Sequence, residues 1–446
     1  MPRPPPRRRD PDRNDPPAAS GEAPPRPAGP PPAPTVRLAP VQHSGPEPWV
    51  QLRNANYHPL LYKKMVGAAD PAARPGDFVT VYNRDGAFFG RGFYNPRSQI
   101  ALRLLSFAPD GPPAEQMIAE RLAAAVKLRR ETLGLDAVTD AYRVVHAEGD
   151  GLSGLIVDRF GPYLVIELFS LAMFRRLDAL KAELARHFPD ARILVRADER
   201  IETAEGFKVA GATGRRGAAA APPAARNDSE RTVITEHGVR FQVEFAGAHK
   251  TGFFCDQRDN RRTLAGLCRD ADVLDVCAYS GGFGVYAAKL GGARSVTAVD
   301  LDEYAVALIK RNAGLNNVRL EAVHADAFNF LRQMAGNGRT FDVVVLDPPK
   351  LIPSREDFDE GRAKYFDMNK LGLPLVRPGG LLLTCSCSGL VDETEFFNIL
   401  RGAGRSAGRR VQILASAGAG ADHPVMAECP ESRYLKCLLC RVYPAG

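Results

Sequence analysis

Two cysteines stand two positions apart at the end of an apolar run, "LLTCSCSGL" at 381–389. A thiolate is a strong nucleophile near neutral pH and a workable leaving group, so Cys385 or Cys387 suits covalent catalysis. The other uses of such a pair are weaker. A metal site needs about four ligands, and the other close pair, Cys437 and Cys440, has strand spacing that sends the two thiols to opposite faces. No metal is therefore expected. A Cys385–Cys387 disulfide would be strained and out of place in a reducing compartment. Upstream, Asp275, Asp300, Asp326 and Asp347 each lie at or near the end of an apolar stretch. Carboxylates in such places can accept hydrogen bonds from ribose hydroxyls or from the amino edge of a base.

Those positions converge only if the apolar stretches are neighbouring strands. From about residue 250 the chain alternates strand and helix patterns. Strands are expected at 271–278, 295–300, 320–326, 341–347 and 379–388, with two more near 411–415 and 434–442. Their continuous β-branched and Leu runs, separated by helical segments such as "EYAVALIKRNAGL", predict a doubly wound parallel sheet. Ligands of such sheets bind outside the carboxyl ends of the strands. There, "DVCAYSGGFG" offers Ala278, Tyr279, Ser280, Gly281 and Gly282 as a tight turn that a ligand can approach closely. Its glycine spacing is not that of a dinucleotide fingerprint. Asp300 is placed for ribose, with Asp302 the better helix cap. Asp326 suits the adenine amine, with Phe328 packed nearby. Ribose and adenine acceptors without a phosphate-binding fingerprint point to S-adenosylmethionine as cofactor. In "DPPK", two prolines stiffen the turn after Asp347.

The rest of the 446 residues divides by composition. Residues 1–48 hold 17 of the 36 prolines, 7 arginines and 5 acids with few large apolar side chains, so a disordered tail is expected. Residues 49–110 alternate short apolar stretches with turns, as in a small β-barrel-like domain whose Arg91, Tyr94, Arg97 and Arg103 give it a basic, aromatic edge. Residues 111–230 read as an α/β linking domain ending in a low-complexity loop at 211–230. Residues 231–446 begin with a hairpin turning at His237-Gly238 and continue into the alternating region. No apolar run reaches the roughly 18–20 residues of a membrane span, and no signal-like segment opens the chain, so a cytoplasmic protein is expected. The net charge of +7 allows RNA as a partner.

The order "DVCAYSGGFG", "VDLDEYA", "ADAF", "LDPPK", "TCSCSGL" resembles class I S-adenosylmethionine-dependent methyltransferases. More closely, "RGFYNPRSQIALRLLS", "HAEGDGLSGLIVDRFG", "KTGFFCDQRDNR", "LTCSCSGLV" and "ADHPVMAECPESRYLK" resemble the ribosomal RNA large subunit methyltransferase I family across nearly all of residues 50–443. The resemblance implies an N-terminal PUA domain, a linking α/β domain and a Rossmann-like methyltransferase domain. It implies 5-methylcytosine formation in 23S ribosomal RNA, with the nucleophile in the Ser386-Cys387-Ser388 triplet.

Cytosine C5 is a poor nucleophile until a thiolate adds at C6, which is the role expected of Cys387; Asp347 would hold the N3/N4 edge. Cys385 stands where the family commonly has an aromatic residue. Related enzymes often carry a second cysteine after the proline of the "DPPK" position; its absence leaves release to Cys385, a serine hydroxyl or a water-relayed base. Gln257 and Arg258, with Lys250, are placed to cover the cofactor or to meet RNA phosphate. Arg91, Tyr94, Arg97 and Lys350 are the expected RNA contacts, each with an ordinary structural use as the alternative. His423 is expected to serve packing, and an exposed domain edge would allow a homodimer. Two rival functions remain: an RNA amino-group methyltransferase, which usually has an aromatic residue where Lys350 stands, and a non-catalytic RNA-binding assembly factor.

Overall fold

A computed structural model of the chain describes residues 37–209, 231–245 and 252–445. Six short strands come first: β1 Trp49–Leu52, β2 Leu60–Tyr62, β3 Val66–Ala69, β4 Asp77–Tyr82, β5 Phe88–Tyr94 and β6 Ile100–Ser106, in the order β2-β6-β5-β4-β1-β3. Period-two burial explains the layer: Val79 and Val81 of β4 point inward with Val50, Leu52, Leu61 and Leu102.

The tail expectation is corrected at its end. Residues 38–48 are ordered against this sheet, where the Gln51 amide donates to the Ala39 carbonyl at 2.8 Å and Glu47 pairs with Arg91 at 2.6 Å. Specific polar contacts hold a stretch that is too proline-rich and apolar-poor to form a core. Most of the expected tail, and the low-complexity loop at 211–230, lie outside the described residues.

The helix Ala114–Lys127, continued by a looser turn to Thr132, packs on a second sheet. That sheet comprises β7 Ala141–His146, β8 Leu155–Phe160, β9 Tyr163–Leu168 and β10 Arg192–Arg196, in the order β10-β9-β8-β7. The hairpin β11 Arg231–Glu236 and β12 Val239–Glu244 turns at His237-Gly238, as its sequence predicts. Its inner face shares one core with Phe160 and Val165 of the second sheet and with Val285 and Tyr286 of the helix Gly282–Lys289.

The third sheet has seven strands: β13 Asp272–Val276, β14 Ser295–Asp300, β15 Glu321–His324, β16 Phe341–Leu346, β17 Val376–Ser386, β18 Arg409–Ala417 and β19 Lys436–Pro444, in the order β15-β14-β13-β16-β17-β19-β18. Helices Gly282–Lys289, Glu303–Leu315, Ala327–Gly336, Phe358–Gly372 and Glu393–Ser406 connect the first six. The switch in strand order falls at β13, where a ligand crevice belongs. The fold is a Rossmann-like doubly wound sheet, but not a wholly parallel one. β19 runs antiparallel to both β17 and β18, because the chain returns from β18 without a long crossover helix. The first residues of β19 are thereby delivered to the carboxyl end of β17.

Candidate active site

The turn after β13 is built from strained backbone. Cys277 and Tyr279 have φ of 62° and 48°, and Gly281 has 73°, all in the left-handed region. What holds it is hydrogen bonding to the neighbouring strand ends. The Tyr279 amide donates to Asp300 at 2.8 Å, and the Asp302 amide donates to the other Asp300 oxygen at 3.0 Å. The Gly284 amide donates to Asp275 at 2.9 Å. The second oxygen of buried Asp275 has no hydrogen-bond partner. Burial, reinforced by the charges of Asp347 and Asp300 and opposed by the Gly284 amide, pushes the Asp275 carboxyl up to about 7.

Cys277 lies among these groups: burial first, then Asp300, Asp347, Asp275 and Asp326, push its thiol up. A crevice ringed by four carboxylates repels phosphate and favours a ligand carrying positive charge. That donor set fits the sulfonium and amino groups of S-adenosylmethionine and opposes a dinucleotide.

At the ends of the adjacent parallel strands β16 and β17, two turns face each other. The Cys387 sulfur lies 3.9 Å from the Pro348 carbonyl oxygen, beside Asp347. Ser386 and Ser388 are fully buried, and Cys387 between them is half-buried. The Ser388 hydroxyl accepts from the Ile352 amide at 3.2 Å and bonds the Tyr365 hydroxyl at 2.9 Å. Its carbonyl accepts from the Lys436 ammonium at 2.6 Å. The serines are anchors, and the thiol is what they present. Gln257 donates to Asp347 at 3.0 Å.

Comparisons with known proteins bear on the family and the fold. A PUA-like domain model matches residues 53–107, and an S-adenosylmethionine-dependent methyltransferase model matches residues 196–404. Ribosomal RNA large subunit methyltransferase I of Aliivibrio fischeri is 36% identical over 390 residues, covering 86% of this chain and 95% of the relative. That of Klebsiella pneumoniae is 36% identical over 388 residues, covering 86% and 94%. The chain belongs to the ribosomal RNA large subunit methyltransferase I family. Two solved structures share the family member's fold. One is a methyltransferase complexed with SAH, with a TM-score of 0.69, 20% identity and coverage of 86% and 95%. The other is a SAM-dependent methyltransferase from Streptococcus mutans, with 0.70, 20%, 88% and 99%.

Several residues singled out from sequence have other duties in this methyltransferase. Arg258 is fully buried and pairs with Asp422 at 2.7 Å, which commits its guanidinium inside the protein. Gln257 is buried as well and orients Asp347. Arg91 bonds Glu47 and the Gly111 carbonyl, and Tyr94 is buried in the first core. Both are corrected as RNA contacts, because strand-facing side chains there point into the domain. Arg97 and Lys350 are exposed.

Asp326 caps its helix by accepting from the Asn329 amide at 2.9 Å, and Phe328 packs half-buried on the core. Asp302 caps its own helix as expected, while Asp300 stays with the turn. Cys385 is fully buried opposite Cys437, and burial, with Cys437 adding, holds its thiol well above the ordinary range. Such a thiol ionises less readily than an exposed one. Cys437 and Cys440 belong to cores on opposite faces of the sheet. His423 is buried between His146 and Tyr434 rings at 5.1 and 6.5 Å, in keeping with packing. Among the described residues, three donor side chains converge away from the crevice: His58, Cys429 and Glu431, with His58 bonded to Glu431 at 3.1 Å. No helix among the described residues is long and apolar enough to cross a membrane.

Sequence reasoning passed over Lys436, Tyr365, Asn260 and Asp422. A lysine inside the apolar run "YLKCLLC" was the one signal that marked any of them.

Proposed function

We propose that this protein methylates C5 of a cytosine in 23S ribosomal RNA, with Cys387 as the nucleophile. The observation that carries the reading is the presentation of Cys387 by two fully buried serines, against the turn that bears Asp347. The relatives' names supply the ribosomal RNA of the large subunit as substrate class. The target base leaves its stack to enter the crevice. The Cys387 thiolate adds to C6, and the electron pair of the C5–C6 bond moves onto C5 and the ring. Asp347, oriented by Gln257, hydrogen-bonds the N3/N4 edge and stabilises the adduct. Asp275, Asp300, Asp326 and the turn at 277–282 would hold S-adenosylmethionine, which would supply a methyl group to C5 and leave as S-adenosylhomocysteine. Loss of the C5 proton to water returns the pair to the ring, and the C6–S bond breaks to release Cys387 as thiolate. The first domain and exposed Arg97 and Lys350 hold the RNA in a cytoplasmic setting.

The test is methyl transfer from labelled S-adenosylmethionine to unmodified ribosomal RNA by wild type, Cys387→Ala and Cys385→Ala, with the product nucleoside identified by mass spectrometry. The reading requires 5-methylcytosine from wild type and Cys385→Ala, and none from Cys387→Ala. An amino-methylated base that survives both substitutions would establish the amino-group alternative instead.

A further inference from the structure

Lys436 is a positioning residue for which the sheet makes an unusual exception. It opens the antiparallel strand β19, directly opposite Ser386 of β17, and only 3% of it is exposed. Its ammonium donates to two backbone carbonyls, Ser388 at 2.6 Å and Tyr434 at 2.8 Å. Among the described residues no carboxylate forms an ion pair with it. A buried ammonium bonded only to neutral carbonyls is costly unless a negative charge forms nearby.

We propose that Lys436 holds the Ser386-Cys387-Ser388 turn in place and that its positive charge favours the thiolate form of Cys387. The inference rests on Cys387 being the nucleophile. The groups that face Lys436 from the packed elements are Cys387 from the turn, Cys437 from its own strand, Asp392 at the head of helix Glu393–Ser406, and Arg433. Burial pulls the ammonium down to about 8; Cys387, Cys437 and Asp392 pull it back up, and Arg433 adds to the lowering. It is therefore charged at neutral pH. Asp392 accepts from the Glu395 amide and forms no ion pair with Lys436 among the described residues, and an ionised Cys387 is the charge partner the proposal gives the ammonium. The link is mutual: what a thiolate does for the ammonium, the ammonium does for the thiolate.

The full chain is alkylated with iodoacetamide across a range of pH, and the labelled Cys387 peptide is followed by mass spectrometry. This readout needs no RNA, so it separates failure of the inference from failure of the cytosine assignment. Wild-type Cys387 is expected to react with an apparent pKa below the ordinary thiol value of about 8.5. Lys436→Gln keeps a hydrogen-bond donor but loses the charge; its alkylation near neutral pH should be about tenfold slower, a rise of about one pKa unit. Lys436→Arg keeps the charge and should stay close to wild type. S-adenosylmethionine binding reports that each variant is folded. A Lys436→Gln profile that superimposes on wild type overturns the inference. So does a wild-type value at or above that of a free thiol, whether or not any variant folds.

Discussion

The Gln257 amide nitrogen lies 3.0 Å from a carboxylate oxygen of Asp347, 90 residues away, and its amide oxygen accepts from Asn260 at 2.7 Å. Both side chains were legible as site residues, but not as a pair. Gln257 gives Asp347 a fixed donor at the carboxyl end of the sheet. Gln257→Glu preserves shape and replaces attraction with repulsion. At low pH the two carboxyls share a proton; as pH rises both ionise and push apart. The ratio of variant to wild-type kcat should therefore fall as pH rises, with cofactor affinity little changed. A pH-independent ratio would show that the contact does not matter to Asp347.

Asp275 carries a penalty that serves binding. Its folded value of about 7 lies above the unfolded carboxylate value of about 3.9. Between those values the native state holds the extra proton, so stability falls as pH rises, and the full loss is present above about 7. Asp275→Asn keeps an acceptor for the Gly284 amide and removes the loss. Its Tm should exceed that of wild type near pH 8, by stability on the order of a few kcal/mol, and the two should converge toward pH 4. The same variant should bind S-adenosylmethionine more weakly. Wild-type affinity should rise with pH through neutrality, because a cationic ligand prefers the ionised carboxylate. Calorimetric titration at two pH values checks the sign.

The strands of the third sheet were readable because buried parallel strands are continuous apolar runs: 295–300 was placed to the residue, and the other core strands within a few positions. The carboxylates at their ends followed from the fold's own rule for ligand placement. What failed did so for local reasons. Arg91 and Arg258 look like surface cations in a linear sequence, and only Glu47 and Asp422, at 44 and 164 residues' distance, show that they are consumed inside. Strand alternation kept Cys385 as a second candidate beside the favoured Cys387, but the strand ends at Ser386, so the two thiols meet different surroundings. The antiparallel sense of β19 depends on its connection to β18, which carries no helical period to read.

Cys385 should matter to packing rather than to chemistry. It is fully buried in a core with Leu383, Cys437 and Leu439. Cys385→Ala removes one buried sulfur and should cost about 1 kcal/mol, with kcat near wild type. Cys387→Ala should show the reverse: Tm almost unchanged, because the side chain is half-buried, and methylation abolished. Thermal denaturation and turnover measured on the same preparations separate the two roles. Loss of activity in Cys385→Ala at full stability would return Cys385 to the mechanism.

Asp422 joins the linking sheet to the methyltransferase sheet. Its carboxylate accepts from Arg258 at 2.7 Å and from the Arg143 amide at 2.9 Å, and its carbonyl accepts from Arg129 at 2.6 Å. Burial pushes the Asp422 carboxyl up, but the charges and hydrogen bonds of His423 and Arg258 outweigh it and hold the group below the usual carboxylate range. A depressed value contributes stability that is present above the unfolded value of about 3.9 and is lost as pH falls below it. Arg258→Met leaves the carboxylate buried and uncompensated, at a cost of about 3–5 kcal/mol. Arg258→Met with Asp422→Asn removes the stranded charge and should recover part of that loss, a coupling that a double-mutant cycle measures. The double variant should also lose less stability on acidification than wild type. If the two substitutions are simply additive in urea denaturation, the pair does not fasten the domains together.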